Sequence, residues 1–446
     1  MKLFVGLVLT AIGCSSDDGD GAGAANGGGG KGRIAGAAKV GTDEHEYGTD
    51  KANIVIDHEA RVAIAWRNVD GVKAVHAPDA ELGEPIALAT ERPDEVNLLL
   101  DSQGNATAAW RRAGNWSLSR SALGGAWTPL APGALPADQT WSSDVLVAGP
   151  NGVILHTARR SDATGKSLVA ARFAGGAWSA PDVLSHAPCA DSQCLKDVGP
   201  RRPQAAIRQD GSELVAWPSY SWDSQTQVES CDAFMRRRVL GSGWTDTPAP
   251  GGLCHAYFAT LVAGGNGDMM EFVVDHASSN LADGLAISAQ SFRAGTWEAP
   301  ISIGPVGASG IPLVAAMSQN GAVIVAWSAP EAGLRCAYFV AGSGWTPVDP
   351  PELRGLSPRV AIDAAGRALL VWAEWVDEPR GKIPRVFFAR YSPGSGWTET
   401  RQVNADDGSN VASAPVAVAV NDAGDAALLW QESYFSRSDL WFARLP

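Results

Sequence analysis

A turn residue followed six positions later by a tryptophan recurs along most of this chain. Each copy lies in a hairpin, which has an apolar strand, a tight polar turn and a second apolar strand. The eight turn positions are Ala60, Gly104, Gly152, Gly211, Gly267, Gly321, Gly366 and Gly424. The residues six positions later are Trp66, Trp110, Ala158, Trp217, Val273, Trp327, Trp372 and Trp430. Repeated units share one continuous core, so the pattern predicts one repeat domain rather than several separate domains.

Each unit continues with a third strand and then a fourth strand, which opens on Gly-x-Trp or a close variant. These second tryptophans are Trp127, Trp178, Trp244, Trp297, Trp345 and Trp397. Successive turns are 44 to 59 residues apart, and the variation falls between the strands, where loops absorb insertions. Four strands per unit at this period indicate an all-β fold, a β-propeller.

The two ends of the repeat region are complementary. After Trp430 the last unit has only a third strand, residues 440–445. Residues 33–40 precede the first unit and look like the missing fourth strand. Pairing of the two would close the ring and remove the exposed sheet edges. We therefore predict eight four-stranded blades over residues 33–446. Seven blades are the alternative, because the first unit lacks both the turn glycine and the Gly-x-Trp marker.

The first residues have the features of an export signal. Lys2 precedes an apolar run that is too short to span a bilayer and that ends at Cys14. The small residues around this cysteine, Ala11, Gly13, Ser15 and Ser16, resemble a bacterial lipoprotein signal, although Ala11 stands where that family usually has leucine. The resemblance implies that residues 1–14 are a signal peptide ending at a lipidated Cys14. It also implies a protein anchored by lipid in the bacterial cell envelope, and we expect the outer membrane.

Residues 15–32 are rich in Gly, Ala and Asp and contain no apolar cluster, which predicts a disordered tether. A tethered propeller is similar in outline to an eight-bladed lipoprotein of the bacterial outer-membrane barrel assembly machinery. The repeats of that lipoprotein space glycine and tryptophan differently, so only architecture and location correspond. Sialidase-type propellers place tryptophan three residues after the glycine of their repeat. Their catalytic residues therefore do not carry over to this chain.

Composition limits the partners. The chain has a net charge of -13, with 45% hydrophobic and 19% charged residues. Such a chain cannot neutralise a row of phosphates, which argues against nucleic acid as a ligand. It also argues against an anionic membrane surface, so we expect membrane contact only through the N-terminal lipid.

Three tryptophans stand outside the repeat positions. They lie in segments that map to the face where propellers usually bind ligands, formed by the loops from strand two to strand three and from strand four to the next blade. The candidate ligand-binding residues here are Trp141, Trp222 and Trp375, with the flanking Tyr220, Asp223, Glu374 and Asp377. A flat ring beside polar groups suits a sugar, and it suits a peptide equally. The alternative is that these rings pack under their own long loops.

Arginines follow the second strand in the first three units. Arg67, Arg111 and Arg159 take this place, whereas Glu374 and Glu432 lie close to it in the last two units. In a ring these positions surround the mouth of the central channel. Arginines from three adjacent blades would bind a carboxylate, sulfate or phosphate through forked hydrogen bonds. The alternative is pairing with the glutamates, or with Asp94 and Asp162.

Evidence for catalysis is weak in this sequence. It has no nucleophile elbow, no His-Glu metal motif and no phosphate-binding loop, so we assign no catalytic residue, no metal and no cofactor. Glu374 with Glu432 or Asp377 is the one carboxylate pairing that would suit acid–base cleavage of a glycoside.

The cysteines other than Cys14 fit an oxidising compartment. Cys189 and Cys194 share one loop, and Cys231 and Cys254 flank the third and fourth strands of one unit. We predict these two disulfides and a buried free thiol at Cys336. Metal binding by Cys189 and Cys194 with His186 is the alternative for that loop, although the spacing matches no standard zinc site.

The function that we predict is recognition of a glycan, peptide or protein on the binding face. A structural subunit of an envelope complex is the second hypothesis. A glycoside hydrolase or lyase is the third.

Overall fold

The computed structural model describes residues 34, 37–43, 52–78, 81–113, 115–130, 142–162, 165–188, 199–200, 203–208, 210–223, 228–250, 258–264, 268–276, 285–293, 295–306, 313–329, 333–350, 355–378, 381–404, 412–434 and 437–445. In this part of the chain the elements are β-strands, with one 3-10 turn at Pro150–Gly152. The strands form eight antiparallel sheets.

The first four sheets are blades one to four. Blade one consists of β2 (Ala52–Ile56), β3 (Val62–Asn68), β4 (Gly71–Ala77) and β5 (Ile86–Ala89). Blade two consists of β6 (Glu95–Leu100), β7 (Asn105–Arg112), β8 (Asn115–Ala122) and β9 (Thr128–Pro129). Blade three consists of β10 (Ser142–Ala148), β11 (Ile154–Asp162), β12 (Gly165–Ala174) and a divided fourth strand, β13 (Ala177–Trp178) and β14 (Asp182–Pro188). Blade four has a divided first strand, β15 (Gly199–Pro200) and β16 (Gln204–Ile207), followed by β17 (Glu213–Asp223), β18 (Val228–Arg238) and β19 (Trp244–Thr247).

The remaining sheets are blades five to eight. Blade five consists of β20 (Phe258–Ala263), β21 (Met269–His276), β22 (Leu285–Arg293) and a divided fourth strand, β23 (Thr296–Trp297) and β24 (Ile301–Val306). Blade six consists of β25 (Val314–Met317), β26 (Val323–Ala329), β27 (Gly333–Val340) and β28 (Gly344–Pro347). Blade seven consists of β29 (Gly355–Ile362), β30 (Ala368–Glu378), β31 (Gly381–Ser392) and a divided fourth strand, β32 (Gly396–Trp397) and β33 (Arg401–Gln402). Blade eight consists of β34 (Ala412–Val420), β35 (Ala426–Tyr434), β36 (Arg437–Leu445) and β1 (Ala38–Asp43).

The blades form a closed ring. Each first strand contacts the first strand of the next blade, from β2 through β6, β10, β16, β20, β25, β29 and β34, and β34 contacts β2. The eight first strands therefore line a central channel, as in other propellers. The prediction of an eight-bladed β-propeller is confirmed, and the first unit forms a complete blade.

Blade eight joins the two ends of the chain. β1 pairs antiparallel with β36, so the predicted closure by N- and C-terminal strands is confirmed. The N-terminal strand begins at Ala38 and ends at Asp43, later than the predicted 33–40, because its register pairs Ala38 with Phe442 and Asp43 with Ser438. β1 thus supplies the outermost strand of blade eight, which the C-terminal part of the chain leaves incomplete.

The turn between the first two strands explains the repeated glycine. Gly104, Gly366 and Gly424 have φ values of 79°, 80° and 94°, a region that side chains disfavour. Ala60 takes the same conformation with a φ of 61°, which is how the first blade keeps the turn without glycine. In blade one, Asp57 Oδ1 accepts hydrogen bonds from the backbone N–H groups of the turn, an Asx turn that fixes its shape.

The tryptophans at the end of the second strand are core residues. Trp217, Trp372 and Trp430 are fully buried, and each packs between its own blade and the preceding one. A repeated large ring at this position fills the wedge between neighbouring sheets, so burial accounts for the six-residue offset.

A second repeated contact links neighbouring blades on the turn face. A third-strand side chain donates a hydrogen bond to the carbonyl oxygen of the next blade's turn residue, and we call this contact the interblade latch. The donor and acceptor residues are Arg120 and Gly152, Tyr338 and Gly366, Arg390 and Gly424, and Arg444 and Ala60. The last pair joins blade eight to blade one, so the latch also secures the closure of the ring.

The latch predicts a measurable stability loss. Arg444 donates to the carbonyls of Ala60 and Ala77, and Arg444→Met should lower the free energy of unfolding by about 1–3 kcal/mol, because two partly buried carbonyls lose a charged donor. Arg401, exposed on β33, is the matched control, and Arg401→Met should change stability by less than about 0.5 kcal/mol. Urea denaturation measures the free energy of unfolding of both variants. Equal losses in the two variants would contradict a role for the latch.

Candidate functional site

Two hairpins are longer than the others on the face opposite the turns. β17 and β30 have 11 residues each, whereas the other second strands have 7 to 9. The additional residues continue the strand past Trp217 and Trp372. Trp222 and Trp375 were predicted in loops, and the structure places them on these strand extensions. Strand pairing therefore holds the backbone of both residues.

Trp375 is the exposed tryptophan among those whose side chains the structure describes, a set that does not include Trp222. Its exposed fraction is 49%, whereas every other tryptophan of this set is buried or half-buried. Asp377 follows it on the same strand with a side chain that is 82% exposed, and Lys382 Nζ lies 3.8 Å from Asp377 Oδ1. The end of this hairpin thus presents an indole ring and two opposite charges to solvent.

Strand alternation sets the direction of Trp375. Trp372 packs against Leu334 and Cys336 of blade six. Successive side chains of a strand point to opposite faces, so Trp375, three residues later, faces blade eight. On blade eight, Trp430 packs against blade seven, and Glu432 lies two residues further on the same side. We call the space between these two faces the 7–8 groove.

The blade-eight side of the 7–8 groove carries two buried carboxylates. Glu432 and Asp439 are directly opposite each other on β35 and β36, and they are only 3% and 2% exposed. Glu432 Oε1 accepts a hydrogen bond of 3.1 Å from Trp430 Nε1. Asp439 forms an ion pair of 2.9 Å with Lys39 on β1. Asp439 and Lys39 were not predicted, because only the pairing of β1 with β36 brings them together.

Glu374 lies on the other side of blade seven. It has the same alternation as Trp372 and therefore faces blade six, and its Oε2 lies 3.5 Å from Trp372 Nε1. Its partner across the strands is the buried Arg385. Glu374 and Glu432 thus face different grooves, and Asp377 faces the 7–8 groove from an exposed position.

The candidates on blade four are in a separate sector of the ring. Tyr220, Trp222 and Asp223 lie on β17, opposite Cys231, Glu229 and Val228 of β18. Blades five and six separate them from Trp375, so the two extended hairpins do not form one pocket. Trp141 lies outside the described residues. A binding role for all four remains a prediction.

The arginines of the first blades have partners within the protein. Arg67 Nη1 donates to the carbonyl oxygens of Pro93 and Asp94. Arg111 forms an ion pair of 3.3 Å with Glu95. Arg159 is half-buried on β11, opposite Leu168 of β12. Anion binding by these three residues remains a prediction.

The predicted disulfides also remain predictions. Cys231 is half-buried on β18, and its predicted partner Cys254 lies outside the described residues, as do Cys189 and Cys194. Cys336 is a buried free thiol, as predicted, and burial raises its pKa well above the usual value.

The described residues contain no group of three or more His, Cys, Asp and Glu side chains arranged to hold a metal ion. Among the same residues, no helix has the length and hydrophobicity needed to cross a bilayer.

The fold and the extended hairpins define an eight-bladed β-propeller with an exposed aromatic residue on one face. No family model and no curated protein matches the chain. Similar solved structures include the six-bladed lectin of Aleuria aurantia, which recognises fucose (13% identity, 68% of this chain and 96% of that one, TM-score 0.38). A streptogramin B lyase (11%, 88% and 93%, 0.41) and a protein of unknown function from Dyadobacter fermentans (11%, 92% and 100%, 0.39) are also similar. At these scores the likenesses assign no function to this chain.

Proposed function

We propose that this protein is an exported, lipid-anchored recognition scaffold that binds a glycan or peptide ligand at the 7–8 groove. Export and lipid anchoring are supported by the apolar N-terminus that ends at Cys14. The ring of blades supplies a rigid frame, and the extended hairpin of blade seven presents the contact residues.

The exposure of Trp375 is the observation that carries this proposal. A large indole ring at 49% exposure loses the benefit of burial unless a ligand covers it. Every other tryptophan whose side chain the structure describes is buried or half-buried. A ring on a paired strand is also held in place before binding, which limits the entropy lost when a ligand docks.

The groups around Trp375 suit a ligand with both an apolar face and polar groups. The ring would cover the apolar face of a sugar or a side chain of a peptide. Asp377 and Lys382, both exposed, would then accept and donate hydrogen bonds to the polar groups.

The geometry favours binding over glycoside cleavage. Cleavage requires two carboxylates that face each other across the scissile bond. Glu374 faces blade six and Glu432 faces blade seven, so these two do not face each other. Glu432 and Asp439 do share a side, but both are buried and are bonded to Trp430 and Lys39.

Trp375→Ala should weaken ligand binding by about ten-fold or more, because one exposed ring supplies most of the apolar contact. Residues 33–446 are screened on a glycan array and a peptide library, and the affinity for each ligand found is then measured by titration calorimetry. Circular dichroism confirms that the variant keeps its fold. Trp222→Ala, on the other extended hairpin, should leave the same binding intact.

Leu240→Ala is the matched control, since Leu240 is 60% exposed between β18 and β19 on the opposite face. Equal binding by the wild type and Trp375→Ala would exclude this site. An absence of glycan and peptide binding by the wild type would overturn the proposal and favour a structural subunit of an envelope complex, which crosslinking in native membranes would identify.

A further inference from the structure

Each of the eight first strands around the central channel has one residue at an equivalent position of its blade. This residue pairs with the second-strand residue that stands five positions after the turn residue of the same blade. We call the eight residues the channel girdle. They are Asn53, Asn97, Val145, Gln204, Thr260, Val314, Arg359 and Ala417. Seven of the eight are neutral. Arg359, on blade seven, is the charged member of the girdle.

The hydrogen bonds of Arg359 leave part of its guanidinium available. Nε donates to the carbonyl oxygen of Val416 and Nη1 to that of Pro358, both at 2.9 Å. The side chain is only 7% exposed. Nη2 has no acceptor among the described residues, and it is also not enclosed, since it retains solvent-accessible surface.

No carboxylate within the described residues balances this charge. Burial alone lowers the pKa of Arg359, to about 10, so the side chain remains charged at neutral pH. The carboxylate of Glu95 lies two residues before the girdle residue Asn97 of blade two, and its partners are Arg111 and Asn97 rather than Arg359. A buried cation without a counter-ion is costly, and an anion from solution would relieve that cost.

The backbone directs Arg359 toward blade eight. β29 has a bulge between Leu356 and Arg359, where Ser357 has a φ of 51°, and β34 has a bulge between Pro415 and Ala417. Bulges reorient side chains and are enriched beside functional sites. In blade one, by contrast, β2 has a regular register, and the neutral Asn53 donates to Val96 O of the next blade in the equivalent place.

We propose that the channel girdle binds a small oxyanion, a carboxylate or a phosphate-like group, through the free edge of the Arg359 guanidinium between blades seven and eight. This site is independent of Trp375. A planar guanidinium matches both types of oxyanion through paired hydrogen bonds. The other girdle residues are neutral, so none of them would repel a bound anion.

The purified protein is titrated with phosphate, sulfate, acetate and D-glucuronate, with sodium chloride at equal ionic strength as the reference. We expect at least one oxyanion to raise Tm beyond chloride, because a ligand that binds only the folded state stabilises it. Binding to phosphate and sulfate alone would indicate a free tetrahedral anion. Binding to acetate and glucuronate alone would indicate the carboxylate of a larger ligand.

Arg359→Met should weaken that binding by about ten-fold or more, since charged hydrogen bonds are lost. Arg359→Lys keeps the charge without the fork and should give an intermediate affinity, which keeps the test valid if the methionine variant folds poorly. Arg390→Met is the matched control, since Arg390 also bridges blades seven and eight but donates to Gly424 O and Leu445 O. No oxyanion effect in the wild type, or equal binding by Arg359→Met, would overturn the proposal.

Discussion

Replacing Trp430 with alanine is expected to lower the free energy of unfolding by about 3–5 kcal/mol. The ring is fully buried between blades seven and eight, and it stacks on Trp441 with centroids 6.2 Å apart. Its Nε1 also donates to the buried Glu432. The substitution would therefore open a cavity and remove a donor from a buried carboxylate, two effects that act in the same direction. Urea denaturation followed by tryptophan fluorescence and circular dichroism measures the loss.

Trp375→Ala is the matched control for this experiment. It removes the same side chain from the neighbouring blade, but at a position that is 49% exposed, so we expect a loss below about 1 kcal/mol. Similar losses in the two variants would mean that tryptophans at the end of the second strand are not what holds the blades together. The contrast also shows whether Trp375 is available for binding without a cost to the fold.

Glu271→Gln is expected to stabilise the protein above pH 5, with a gain that grows toward pH 8. Glu271 is the third residue of β21 and is only 2% exposed, and its Oε2 has no hydrogen-bond partner among the described residues. By alternation it faces the apolar cluster between blades four and five, beside Met269. Burial raises its pKa from 4.5 to about 8.

The folded and unfolded states release the Glu271 proton at different pH values, and this difference sets the direction of the effect. The unfolded chain loses the Glu271 proton near pH 4.5, whereas the folded protein keeps it until about pH 8. The wild type therefore loses stability as pH rises between these values, at about 1.4 kcal/mol per pH unit. Glutamine stays neutral and avoids this loss, so the difference should reach up to roughly 4–5 kcal/mol at pH 8.

Unfolding curves of the wild type and Glu271→Gln at pH 5, 6.5 and 8 test this prediction. Glu399→Gln, at an exposed position on blade seven, is the control and should give a difference that does not change with pH. A constant difference between wild type and Glu271→Gln would show that Glu271 ionises in the folded state at ordinary pH.

The site was only partly accessible from the sequence. The off-repeat tryptophans pointed to Trp375, and the structure places it exposed on the expected face. The segments that carry Trp222 and Trp375 were interpreted as loops because they follow the second strand of their repeat units. Cross-strand pairing nevertheless extends β17 and β30 through them. Backbone pairing depends on the partner strand, which a local pattern does not contain.

The latch and the channel girdle were missed for a related reason. Arg120, Arg390 and Tyr338 each stand seven residues before a marker tryptophan, a signal that is present in the repeat alignment. Its meaning depends on which carbonyl of the next blade lies within reach. Arg359 lies in a short apolar segment, and nothing in that segment distinguishes it from other strand residues. Its place in the girdle depends on how the eight blades are arranged around the channel.

The amino-acid sequence by itself determined the four-stranded repeat, the turn that begins each second strand, the tryptophans between the sheets and the closure of the ring, whereas the choice of eight blades over seven came from the structure. These features follow from local backbone preferences and from hydrophobic periodicity, which every unit repeats. Only the tertiary structure decided that Trp375 faces the groove beside Glu432, that Lys39 neutralises Asp439, and that Arg359 is the charged residue at its level of the channel. Those relations join residues that are distant in sequence, and their geometry arises when the ring brings neighbouring blades into contact.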